Sequence, residues 1–110
     1  MIDTEAVKRE LHSQMLRLFD NVGSASAAAG GPYWPRRYLQ MVRTHGGLAA
    51  AQRWLARRDR PTGFDRLQKL GLLNLSVEAL VLQPRFRVLF TPQEIAAARR
   101  RLENAGYVAP

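Results

Sequence analysis

Apolar residues recur at helical spacing along most of the chain. Over residues 4–19, Val7, Leu11, Met15, Leu18 and Phe19 fall on one side and Asp3 stands where an N-cap belongs, so an amphipathic helix is predicted. Leu16 falls away from that stripe and reads either as a second contact or, the favoured alternative, as one exposed leucine. Residues 20–32 carry Gly, Ser and Ala and almost no large apolar side chain, the composition of a flexible connector. The first helix is therefore expected to be hinged, docking loosely or on a second copy of the chain. Three parts follow: an N-terminal helix over 1–19, a linker over 20–32 and a helical core domain over 33–110.

A second helix is predicted to begin at Pro35, whose missing N–H has no partner in a first turn. Tyr38, Leu39, Met41 and Val42 form its buried side. Arg36, Gln40 and Arg43 lie opposite, with Arg37 and Thr44 at the edge. Gly46-Gly47 ends it through a left-handed cap. The third helix, Leu48 to Arg57, turns Leu48, Ala51, Trp54 and Leu55 inward and Arg53 and Arg57 outward.

Thr62 is the expected cap of a short helix holding Phe64, Leu67 and Leu70, closed by Gly71. The apolar run from Leu72 to Leu82 reads as a helix capped by Ser76, with Glu78 in the first turn, because a lone strand has nothing to pair with. Pro84 interrupts the chain, and Phe86, Val88, Leu89 and Phe90 are expected to anchor a loop on the core. Thr91-Pro-Gln-Glu94 is a capping box, with Pro92 at the first helical position and Phe90 set to staple onto Ile95. That last helix buries Ile95, Ala98, Leu102 and Ala105 and stops at Gly106. The fold class is all-α: a compact bundle of five to six short helices with a hinged N-terminal helix.

Composition sharpens this. The 110 residues suit one domain with a modest core, and hydrophobic residues at 46% argue against disorder. Cysteine is absent, which excludes a disulfide scaffold and a thiolate metal site. No apolar run approaches the roughly 20 residues of a membrane span. Met1-Ile-Asp-Thr-Glu is unlike a secretory signal, so a cytoplasmic address without membrane contact is expected.

Seventeen Lys+Arg against nine Asp+Glu give a net charge of +8, with an isoelectric point near 11.3. Fifteen of those cations are arginine. A GC-rich coding sequence would produce this bias; so would a polyanionic partner, which matches the planar arginine fork.

Catalytic chemistry finds little to work with. His12 and His45 stand on different helices with no acid or histidine at ligand spacing, so no metal and no cofactor is expected. His45 is read as helping to cap its own helix. Asp59 and Asp65 flank Pro61-Thr-Gly, each beside arginine, and are read as loop and cap groups. No phosphate loop and no nucleophile–base arrangement is legible, so no enzyme is expected.

Among the arginines, Arg99-Arg100-Arg101 splay around their helix and read as a solvated face near its C-terminus. The better candidate patch is Arg36, Arg37, Gln40 and Arg43 on one helix with Arg53, Arg57 and Arg58 on the next. Tyr33, Trp34 and Trp54 stand near it, either as anchors of the core or as stacking partners for unpaired bases.

Pro35-Arg-Arg-Tyr-Leu-Gln-Met41, His45-Gly-Gly-Leu-Ala-Ala-Ala51, Thr62-Gly-Phe-Asp-Arg-Leu67, Leu75-Ser-Val-Glu-Ala-Leu-Val81 and Leu89-Phe-Thr-Pro-Gln-Glu94 through Gly106-Tyr107 resemble a family of small uncharacterised bacterial proteins. The resemblance covers roughly residues 30–107. It brings no activity, ligand or catalytic residue with it, and its motifs are caps, glycines and apolar anchors. From the residues, two functions stand side by side. One is a basic binding module contacting nucleic acid through its arginine-lined face. The other is a protein-interaction module, an accessory subunit or inhibitor meeting an acidic partner.

Overall fold

A computed structural model of the chain describes residues 3–57 and 62–107. They form α1 (Thr4–Ala28), α2 (Arg36–His45), α3 (Gly47–Leu55), α4 (Thr62–Lys69), a 3₁₀ turn (Leu73–Leu75), α5 (Val77–Val81), α6 (Pro84–Arg87) and α7 (Pro92–Asn104). No strand occurs among the described residues, and the helices pack into an all-α bundle around one apolar core.

The first helix departs from expectation. It does not end at residue 19: residues 20–28, expected as a connector, continue it. Val7, Leu11, Met15, Val22 and Ser26 are all buried, so the small residues prolong the apolar stripe at helical spacing. Alanine is the best helix former, and the small Gly23 and Ser26 let the returning chain lie close. The Tyr33 N–H donates to Ser26 Oγ at 2.8 Å, tying that return onto α1. Gly, Ser and Ala here mark a close-packed helix face.

Nor does α1 stand apart from the rest. Its stripe shares the core with Val42, Ala51, Leu55 and Phe86. Leu16, expected outside, packs partly against the same core. The Tyr38 hydroxyl donates to the Met15 carbonyl at 2.7 Å, and burial pushes that phenol above its ordinary range. The Gly47 N–H donates to His12 Nδ1 at 3.0 Å, so a side chain of α1 satisfies a free donor at the start of α3. A Cβ on Gly47 would come within 2.7 Å of the His12 Cα, leaving glycine as the residue that fits.

Only Gly46 separates α2 from α3. Its φ of 84° and ψ of 158° belong to a region open to glycine rather than to a left-handed helical cap, and its N–H closes α2 on the Val42 carbonyl at 2.9 Å. The exposed His45 ring takes no part in that closure. The expected cap by Thr62 lies outside the described side chains.

The C-terminal half follows its local signals more closely. Ser76 caps α5, accepting the Ala79 N–H at 3.1 Å. The capping box of α7 is complete: the Glu94 N–H donates to Thr91 Oγ1 at 3.2 Å and the Thr91 N–H to Glu94 Oε1 at 2.9 Å. Pro84 opens the short α6 instead of a plain loop; Phe86 and Phe90 are buried, but Val88, expected as an anchor, is 54% exposed.

Candidate functional site

Positions 36, 40 and 43 are four and three residues apart, which places them on one side of α2 while Tyr38 and Val42 face the core. Arg36, Gln40 and Arg43, together with Phe19, Leu39 and Thr44, line an open depression between α1 and α2. No carboxylate lines it.

The other candidates are placed differently. Arg57 lines a second depression, formed with Leu55, Ala56, Ala97, Arg100, Arg101 and Asn104. Arg37 and Arg53 are exposed and line neither depression. Arg58 lies outside the described residues. Thus three of the seven candidates meet in one place, and Arg57 joins the arginines of α7 instead.

Arg101 is not the solvated cation expected from its triplet. Its side chain is 10% exposed, and Nη1 lies 2.9 Å from Glu78 Oε2, a carboxylate 1% exposed. The same guanidinium donates to the carbonyls of Trp54 at 3.0 Å and Leu55 at 3.3 Å, at the C-terminal end of α3, and to that of Arg57 at 2.6 Å just beyond it. Glu78 therefore serves as a counter-ion in the core, beyond its place in the first turn of α5.

The carboxylates are distributed unevenly. Asp3 caps α1, Glu5 pairs with Lys8, Glu10 with Arg85, and Glu94 belongs to the α7 cap. Between Asp20 and Asp59 there is no Asp or Glu, while that stretch holds Arg36, Arg37, Arg43, Arg53, Arg57 and Arg58. By contrast, a third depression, where α1 crosses the α2–α3 joint, mixes Glu5 with Lys8, Arg9, His12 and His45.

Beside the α2 depression stands an aromatic pair. The Phe19 and Trp34 ring centroids are 5.5 Å apart with a tilt of 55°. Trp34 is 43% exposed, and a Cβ on Gly23 would overlap its ring, so the indole lies against the backbone of α1. The preceding Tyr33 carries the Arg66 guanidinium 5.1 Å from its ring centre; partial burial raises its phenol, with Arg66 acting in the opposite direction. No family model, curated protein or solved structure matches this chain.

Chemically, the depression offers two guanidinium forks, an amide and an apolar wall. With the Thr44 hydroxyl at its edge, such a set is able to hydrogen-bond an anion. Among the described residues no group of three or more His, Cys, Asp or Glu could hold a metal, and no helix is long and apolar enough to cross a membrane. Sequence reasoning placed Phe19 simply in the core stripe and did not join it to the arginines. The signal was its spacing to Gly23, one helical turn on, which leaves room for a ring only once residues 20–28 are known to be helical.

Proposed function

We propose that this chain is a non-catalytic, cytoplasmic binding module whose arginine-lined α2 face contacts the phosphates of nucleic acid. The observation that carries the reading is the stretch from Asp20 to Asp59, six arginines without one carboxylate, with Arg36 and Arg43 at a shared depression. Phosphate, like carboxylate, is an anion that a planar guanidinium holds through two parallel hydrogen bonds, and Gln40 between the two forks adds an amide donor and acceptor. A net charge of +8 adds long-range attraction to any polyanion.

The test is fluorescence anisotropy with labelled random-sequence oligonucleotides, single-stranded and duplex, at rising salt. Binding at about 50 mM salt with a steep linear fall of log K against log salt is expected. Absence of binding to both forms at that salt overturns the reading and leaves an acidic protein as the partner to seek.

A further inference from the structure

From the Trp34 platform we infer that the preferred ligand is single-stranded nucleic acid, with one unpaired base stacking on the Trp34 indole while Arg36 and Arg43 hold the adjoining phosphates. The inference rests on the nucleic-acid reading above and narrows it to a substrate class.

Three features of the platform support it. Trp34 and Val88 are the two large apolar side chains left exposed among the described residues, and only Trp34 adjoins the arginine depression through Phe19. The indole is also held in place. One face lies over Gly23, where no side chain intervenes, Phe19 flanks it at a tilt, and the residue still keeps 43% of its surface exposed. The backbone on both sides is fixed as well: the Tyr33 N–H is bound by Ser26, and the Trp34 carbonyl accepts the Arg36 N–H at 2.8 Å at the entry to α2. A ring immobilised before binding loses little freedom when a base covers it.

The chemistry favours an unpaired base over a duplex. Stacking needs a free π-face, and bases inside a duplex are already stacked on their neighbours. The depression is open to solvent, so a strand's backbone has access across it. Phosphates then meet guanidinium groups beside the ring, the combination by which single strands are held without reading sequence.

The experiment compares the full chain with Trp34→Leu, Trp34→Phe and Gly23→Ala on a single-stranded oligothymidine and a duplex of equal length. The parent is expected to prefer the single strand, and the strand is expected to quench tryptophan emission. Trp34→Leu, which keeps an apolar side chain but has no ring, should weaken single-strand binding by about tenfold and remove the quenching, with a smaller loss on duplex. Trp34→Phe should retain most of the preference. Gly23→Ala, which keeps every platform side chain but displaces the ring, should behave like Trp34→Leu. Far-ultraviolet circular dichroism checks that each variant folds. Equal affinity for both forms, or Trp34→Leu and Gly23→Ala both binding like the parent, overturns the inference and leaves the phosphate reading intact. Failure of the parent to bind either form removes both.

Discussion

The Arg101 guanidinium meets the buried Glu78 carboxylate at 2.9 Å and spends its other donors on carbonyls that end α3. One side chain therefore neutralises a charge in the core and supplies the missing partners of a helix terminus. Arg101→Met leaves the carboxylate buried without its cation, and a loss of about 3–5 kcal/mol is expected in urea denaturation. Adding Glu78→Leu to that variant should restore much of the stability, because removing both charges removes the desolvation cost. A double variant no more stable than the single one would contradict this.

Gly47→Ala replaces glycine with the best helix former near the start of a helix, yet it is expected to destabilise. The new methyl would press on the backbone of α1 at His12, which cannot turn aside as a side chain tip does. A loss of about 1–3 kcal/mol is expected from such overpacking. A higher melting temperature for Gly47→Ala would show that α1 yields at this crossing.

Ser26→Ala is expected to cost about 1–3 kcal/mol despite better helix propensity, since the Tyr33 N–H loses its acceptor. Faster amide exchange at Tyr33 is the direct check, and an unchanged rate would mean that the N–H finds another partner.

Alkaline titration should weaken the fold. An unfolded tyrosine ionises near pH 10, while burial holds Tyr38 protonated to higher pH. Below pH 10 both states keep the proton and the contribution is fully present. Above it, the unfolded state has lost a proton that the folded state retains, so stability falls by up to about 1.4 kcal/mol per pH unit from this group. Tyr38→Phe, compared with its own stability at neutral pH, should show a shallower decline, and an identical slope would exclude Tyr38 as the cause.

Replacing Arg36 and Arg43 together by alanine should reduce the slope of log K against log salt by about two on duplex DNA, one for each phosphate no longer neutralised. The same change at Arg99 and Arg100 on α7 should leave the slope near its original value. The reverse pattern would move the binding face to the depression that holds Arg57.

What could be read from the chain depended on how local the signal was. Thr91 and Glu94 lie three residues apart and determine each other's hydrogen bonds, so the start of α7 was legible without any tertiary knowledge. Arg101 and Glu78 are 23 residues apart, and nothing in either neighbourhood announces the pairing; Arg101 looked like its exposed neighbours Arg99 and Arg100. Residues 20–28 failed for a different reason. Small side chains suit both a flexible connector and a tightly packed helix face, and the choice depends on Tyr33 and Trp34 returning over them. The arginines of α2 were legible as a face because Arg36, Gln40 and Arg43 share one helix; their companionship with Phe19, and the separation of Arg57 from them, depend on packing between helices.

The short α3 is held at both ends, by α1 and by α7. His12 of α1 grips its beginning at Gly47, and Arg101 of α7 grips its end at Trp54 and Leu55. Neither clasp can close until the middle of the polypeptide has coiled, and releasing one loosens the seat of the other. Unfolding should then be a single cooperative transition without a stable half, and a fragment starting at residue 33 should lack the wall that α1 gives the interior.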